Sequence, residues 1–194
     1  SGAIATANYV ARKYGVKSGM PIKFAKARLK DIPDSVFLPA DFEYYSEISQ
    51  SGMEIMKSFA DIFEYVGRDE AYLDVTKRTE GDFDKAMHLA QQLKNQIRTK
   101  LKMTCTVGVS QNKLISKIAS GFKKPDGLTV VEPKNIESFL SQLNINDIPG
   151  IGKVTSEKFS ELNIKKIEDL QKLDIFSLNK MFGKDRKSTR LNSS

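Results

Sequence analysis

The chain has 194 residues, 40% hydrophobic and 28% charged, with one cysteine and a net charge of +7. That length supports one ordinary domain or two small ones with a real core. No apolar run approaches a membrane span, no signal peptide opens the chain, and Cys105 alone cannot form an internal disulfide. A cytoplasmic setting fits the cysteine usage, and the positive charge suits a polyanionic partner.

In chain order, AIATANYVARKYG reads as a helix ending at Gly15. MPIKFAKARLK follows, with Pro21 at a helix start and Ile22, Ala25 and Leu29 on one face. Residues 35–38 form a short extended segment. From Phe42 to Ala60 a stripe of Tyr45, Ile48, Gly52, Ile55, Met56 and Phe59 predicts a long helix. Ile62–Val66 and Ala71–Thr76 are rich in β-branched and aromatic residues and predict a hairpin. Phe83, Ala86, Ala90, Leu93 and Ile97 mark a second amphipathic helix. Cys105, Val107 and Val109 alternate as a strand, followed by a helix over 112–120, a KPDG turn and the strand LTVV. Glu132 and Pro133 open a helix to Leu143, and short helices continue to Phe182.

The middle of the chain therefore reads helix, strand, strand, helix, strand. This is the ferredoxin-like order, of mixed α/β (α+β) class, without its first strand. The reading expects that strand upstream of Ser1 and makes the helical 1–38 segment an insertion.

Four groups of residues suggest chemistry. Asp69 and Glu70 are adjacent carboxylates at the hairpin bend, beside Gly67 and Arg68. Two like charges about 4 Å apart repel by roughly 4 kcal/mol at an effective dielectric near 20. A solvated turn relieves this by splaying the groups, and a divalent cation relieves it by neutralisation. Spacing alone leaves both readings open, and Asp74 on the following strand reads as a third acid or, more simply, as an exposed strand residue. Thr6, Tyr9 and Arg12 are three apart on the predicted helix and hence share one face, giving donors suited to phosphate oxygens. The plainer reading is a half-buried tyrosine and a solvated arginine. Lys123 and Lys124 precede the KPDG turn, as a basic loop or as a point charge for a phosphate. In IPGIGKVTSEKF, Gly150 and Gly152 precede a helix that begins with Lys153. Close backbone approach and a helix N-terminus suit a nucleic-acid phosphate, and the pattern is that of a helix-hairpin-helix. His88 reads as a solvated helix residue, and one histidine with one distant cysteine does not make a zinc site.

Taken as a set, GAIATANYVARKYGVKSGMPI, DEAYLDVT, TVGVSQNKLISKIASGFKKPDG and IPGIGKVTSEKF resemble the Y-family, lesion-bypass DNA polymerases of the DNA polymerase IV group, archaeal in flavour, over residues 1–183. The resemblance implies a hand-like architecture, with fingers at 1–38, palm at 39–131, thumb at 132–187 and a foreign-looking, unstructured tail at 188–194. It implies that Asp69 and Glu70 are catalytic and hold two Mg2+ ions, which activate the primer hydroxyl and neutralise the leaving pyrophosphate. Thr6, Tyr9, Arg12 and Lys124 would bind the incoming deoxynucleoside triphosphate. Gly150, Gly152 and Lys153 would grip DNA, and small residues in 1–11 would leave room for damaged bases. Implied partners are primer-template DNA, nucleotides and a sliding clamp engaged through further C-terminal regions, with a monomeric protein and no membrane.

The match departs from the family in places. Gly67 and Arg68 stand where the family usually has Ser and an apolar residue. A further metal-binding Asp and a ribonucleotide-excluding aromatic residue are expected before Ser1, and a C-terminal DNA-gripping domain beyond the last residue. The 194-residue chain alone is accordingly expected to be catalytically inert. Two rival readings remain at this point: a non-catalytic nucleic-acid-binding module, and a palm-type nucleotidyl cyclase.

Overall fold

A computed structural model describes residues 2–174 and Phe176. The expected tail at 188–194 and the last of the thumb lie outside the described residues. The chain forms two compact units, residues 1–47 and 48–194, and the division falls within one long helix.

In the first unit, helix α1 covers only Tyr9–Lys13. The expected helix over the whole opening is corrected here. Asn8 adopts extended geometry and its side chain accepts a hydrogen bond from the Ala11 amide at 2.8 Å, so the helix starts there. The residues before it are drawn into a different pairing. Ala3 bridges Pro21, and the Ile4 amide donates to the Met20 carbonyl at 2.8 Å. Helix α2 (Ile22–Arg28) begins after Pro21, as expected, and buries Ala25 and then Leu29. With Val16 these form a small core, joined by Ile4, Ala7, Ala11, Met20 and Ile32. The segment 35–40 is irregular. Asp41 then accepts from the Tyr44 amide at 3.0 Å, at the start of α3 (Phe42–Ser58).

In the second unit, strands β1 (Ile62–Gly67) and β2 (Glu70–Asp74) form the expected antiparallel hairpin, with Glu64 opposite Tyr72 and Gly67 opposite Glu70. A register shift between Tyr65 and Gly67 marks a bulge at Val66. Thr76 does not extend β2 but opens a short helix, α4 (Thr76–Thr79). Asp74 ends the strand by accepting from the Thr76 amide at 2.9 Å. Helix α5 (Phe83–Leu101) starts at Asp82, which caps Lys85, and it buries Ala86, Ala90, Leu93 and Ile97 as the periodicity predicts. Ile55, Leu93 and Ile97 make a core with Met56, Phe59, Leu73, Leu101 and Cys105, so one face of β2 is covered by α3 and α5.

Strand β3 (Val107–Ser110), helix α6 (Lys113–Phe122) and β4 (Leu128–Val131) follow, and β3 pairs with β4 in parallel. The predicted third strand starts two residues late at Val107, because the Cys105 carbonyl is taken by the Lys94 ammonium at 2.6 Å. Gly108 lets α6 lie directly on β3: a Cβ there would stand 2.1 Å from the Ser116 carbonyl oxygen and 2.5 Å from the Ser120 nitrogen. Ile115, Ile118, Ala119 and Val131 share a core with Phe139, Leu143 and Ile167. Those last three come from or beside α7 (Ile136–Ser141) and α9 (Ile167–Gln171), so one core spans the expected palm–thumb boundary at 131/132. Among the described residues the strands form two separate two-stranded sheets, β1–β2 and β3–β4.

Lys94 is a feature the helical periodicity concealed. It sits among the buried positions of α5, and its ammonium donates to the Asp126 carboxylate at 2.6 Å and the Asp126 carbonyl at 2.8 Å. The Lys94 hydrogen bond, helped by the charges of Lys94 and Arg98, holds the Asp126 carboxyl below the usual carboxylate range. A depressed folded-state pKa gives stability that is complete above the unfolded value and lost as pH falls through the folded one. Thermal unfolding followed by circular dichroism from about pH 5 down to about pH 2 is expected to show a falling midpoint. Asp126→Asn should flatten that fall.

Candidate active site and nucleic-acid interface

The hairpin turn consists of Arg68 and Asp69, closed by the Gly67–Glu70 pair. Its backbone is tied to α3, where the Ser49 hydroxyl donates to the Arg68 carbonyl. Asp69 at the turn is exposed, and Glu70 at the head of β2 is half-buried. Strand alternation puts Glu70, Tyr72 and Asp74 on one face of β2, opposite the face that carries Leu73 into the core. Glu64 joins that acidic face from β1 through its pairing with Tyr72.

Two lysines of α6 reach this face. Lys117 forms an ion pair with Glu70, and Lys113 forms one with Glu64. The Lys113 ammonium also lies 5.7 Å from the centre of the Tyr72 ring. Lys113 and Lys117 are one helical turn apart, on the side of α6 away from its buried Ile115–Ile118–Ala119 stripe. Sequence reasoning missed both. Their i, i+4 spacing on an otherwise apolar helix was the available signal. Asp74 is exposed, and hydrogen bonds from Thr76 hold its carboxyl below the usual range. Its oxygens serve the β2–α4 turn, consistent with a structural role.

The predicted phosphate-binding group is partly assembled in the first unit. The Arg12 guanidinium lies 5.0 Å from the Tyr9 ring centre, and its Nε donates to the Ala7 carbonyl at 2.9 Å. Tyr9 and Arg12 are exposed. Thr6 lies outside α1, in the irregular segment before it, so helical spacing does not place it with them. The reason is the Asn8 cap, which starts the helix at Tyr9, three residues after Thr6.

In the second unit, Lys124 is exposed in the loop after α6. Gly150 has φ of +93°, in the left-handed region that favours glycine, and Gly152 is the N-cap of α8 (Lys153–Glu161). A Cβ at either glycine would meet open space, so the hairpin presents bare backbone to solvent. Lys153 is the first residue of α8 and is exposed, 3.7 Å from the Glu157 carboxylate. The element before this turn is a single 3-10 turn, Ile145–Asp147, closed by reciprocal Asn144–Asp147 hydrogen bonds. Ile145, Phe159 and Ile164 hold the motif from behind.

Among the described residues no cluster of three or more His, Cys, Asp or Glu side chains could hold a metal. The donor set at the hairpin is the Asp69–Glu70 pair. It suits a hard divalent ion that completes its shell with water or phosphate oxygens. Two adjacent carboxylates, one exposed and one half-buried, supply oxygen donors of the kind a divalent ion takes, and the Lys117 ammonium neutralises one of them in this structure.

Residues 1–121 match the impB/mucB/samB family, and residues 146–188 match a domain described as the DNA polymerase-iota thumb domain. The chain belongs to this family, the Y-family DNA polymerases, and is of the DNA polymerase IV type. It is 66% identical over 184 residues to DNA polymerase IV of Nitrosopumilus maritimus, covering 95% of this chain and 50% of that protein. It is 42% identical over 184 residues to DNA polymerase IV of Saccharolobus solfataricus, covering 95% of this chain and 51% of that one. Among solved structures, the crystal structure of DinB from Sulfolobus solfataricus has a TM-score of 0.88 at 41% identity, covering 98% of this chain and 55% of that one. An insertion ternary complex of Dbh DNA polymerase has a TM-score of 0.87 at 41% identity, with the same shares of the two chains. The chain thus spans about half the length of the curated relatives it matches. The expected α/β class with a helix-hairpin-helix thumb holds against these structures. Among the described residues no helix is long and apolar enough to cross a membrane.

Proposed function

We propose that this chain is the nucleotidyl-transfer half of a DNA-directed DNA polymerase that copies past damaged bases, with fingers at 1–38, palm at 39–131 and thumb at 132–187. The observation that carries the reading is the hairpin turn itself. It places an exposed carboxylate, Asp69, next to Glu70, whose carboxylate is paired with the Lys117 ammonium. Family membership supports the same assignment. Asp69 and Glu70 would hold two magnesium ions, which when bound supply charge neutralisation at the primer hydroxyl and the triphosphate.

The remaining roles fall to side chains and backbone of this chain. Arg12 offers its terminal guanidinium N–H groups to phosphate oxygens, since its Nε is already spent on Ala7. The Tyr9 ring lies 5.0 Å from that guanidinium, within cation–π range. Thr6 adds a hydroxyl from the preceding segment, and Lys124 a mobile point charge. Gly150, Gly152 and Lys153 bind the DNA backbone without reading sequence, through open peptide groups and one charge. Partners on this reading are primer-template DNA and deoxynucleoside triphosphates. Engagement of a sliding clamp and a monomeric state are further parts of the proposal.

The test replaces the matching segment of the Nitrosopumilus maritimus protein with this chain and measures primer extension on intact and abasic templates. Magnesium-dependent insertion on both templates is expected. A chimera that folds and binds primer-template DNA but inserts nothing would turn the reading toward a non-catalytic binding module.

A further inference from the structure

We infer that Lys117 is a positioning residue: a built-in counter-ion that holds Glu70 in the metal-free chain and releases it when a divalent cation binds. The inference rests on the metal-binding reading given above for Asp69 and Glu70. Its basis is the contrast between the two acids. Glu70 carries an ion pair with Lys117 across 47 positions of sequence, whereas Asp69, the next residue along, is exposed and has no ion pair among the described residues. The turn between the strands is fixed independently by Ser49 on the Arg68 carbonyl, so Lys117 is not needed to close it.

The Lys117–Glu70 pair is also built to exchange. Both side chains are partly exposed, 35% and 42%, so neither bears the full cost of a buried, unpaired charge when they separate. A lysine ammonium is a compact charge on a flexible stem and can swing away without moving its helix. A carboxylate beside a second carboxylate is strained by like-charge repulsion, and a monovalent partner relieves half of what a divalent one does. Lys117 therefore keeps Glu70 oriented and competes with the divalent ion for it. Lys113, one turn earlier on the same side of α6, is committed to Glu64 and provides an internal control.

The experiment follows the lysine side-chain ammonium and the backbone amide resonances of the 194-residue chain by NMR. Mg2+ is titrated to tens of millimolar at ionic strength matched with sodium chloride. The expected result is a shift of the Lys117 ammonium signal that saturates together with the Asp69 and Glu70 amide shifts, while the Lys113 signal stays still. Lys117→Met is expected to tighten Mg2+ binding at 69–70 by about two- to fivefold, the range measured for exposed ion pairs. Lys117→Arg should keep the wild-type affinity to within that range, and Lys113→Met should change nothing. Should Lys117→Met not fold, the wild-type titration and Lys117→Arg decide the matter. Saturable shifts at 69 and 70 with an unmoved Lys117 signal would overturn the exchange and leave the metal site standing. No saturable shift at 69, 70 or 117 would remove the metal site, and the exchange with it.

Discussion

Asp69→Asn, carried in the chimera with the Nitrosopumilus maritimus protein, is expected to lower nucleotide insertion by about a hundredfold or more while leaving DNA affinity within about twofold. A hundredfold loss corresponds to about 2.7 kcal/mol of barrier, at 1.36 kcal/mol for each factor of ten. The size follows from what the substitution removes. Asn is nearly isosteric, so the turn keeps its Gly67–Glu70 closure and its Ser49 tether. What goes is one of two adjacent negative charges, and with it most of the affinity for a second divalent ion. DNA affinity should hold because the elements proposed to bind the DNA backbone, Gly150, Gly152 and Lys153, lie in a different motif. Single-turnover incorporation and a fluorescence anisotropy titration on the same preparations separate the two effects. Equal insertion by both proteins would remove Asp69 from the chemistry.

Gly108→Ala is expected to cost about 3 kcal/mol, the upper part of the range for overpacking a close contact. The new Cβ would meet the Ser116 carbonyl oxygen at 2.1 Å and the Ser120 nitrogen at 2.5 Å. Both are backbone atoms of α6, so no rotamer change relieves the clash. Helix α6 would have to lift from β3, and Ile115, Ile118 and Ala119 would lose contact with Val131 and Phe139. The thermal midpoint should fall by roughly 10 °C. Gly121→Ala is the matched control. Gly121 lies in the same helix with nothing within 4 Å of an added Cβ, so alanine there should be neutral or stabilising by up to about 1 kcal/mol. A midpoint for Gly108→Ala equal to that of Gly121→Ala would mean that α6 does not rest on β3 in this way.

Much of the fold was legible because apolar spacing is a local property. The stripes on α5 and α2 are read directly from side-chain periodicity, and Ala25, Leu29, Ala86, Ala90, Leu93 and Ile97 are buried as it names them. Two kinds of feature were not legible. The first is competition between local signals. Residues 3–8 look helical by composition, yet Asn8 as a cap and the pairing of Ala3 and Ile4 with Pro21 and Met20 hold them out of α1. That moved Thr6 away from the helical face it shared with Tyr9 and Arg12 on paper. The second is long-range pairing of charges. Lys94 with Asp126, and Lys117 with Glu70, join residues 32 and 47 positions apart. No periodicity connects them, and a lysine at a core position of α5 reads as a fault in the stripe until its three acceptors are seen.

The paired acids were visible because adjacency in sequence survives any fold. Whether they form a turn in water or a cation site could not be read from spacing, since both uses need the same two residues. The structure adds the local particulars: a two-residue turn, a tether from Ser49, and a lysine paired with one of the two carboxylates.

Where a divalent ion settles on this chain decides whether Asp69 and Glu70 form a metal site. Paramagnetic broadening of backbone amide signals by substoichiometric Mn2+, recorded for the wild type and for Asp69→Asn, reads that position directly. Broadening centred on residues 68–71 and abolished by the substitution is the predicted result. Broadening centred elsewhere, or equally strong at the hairpin in Asp69→Asn, would contradict it.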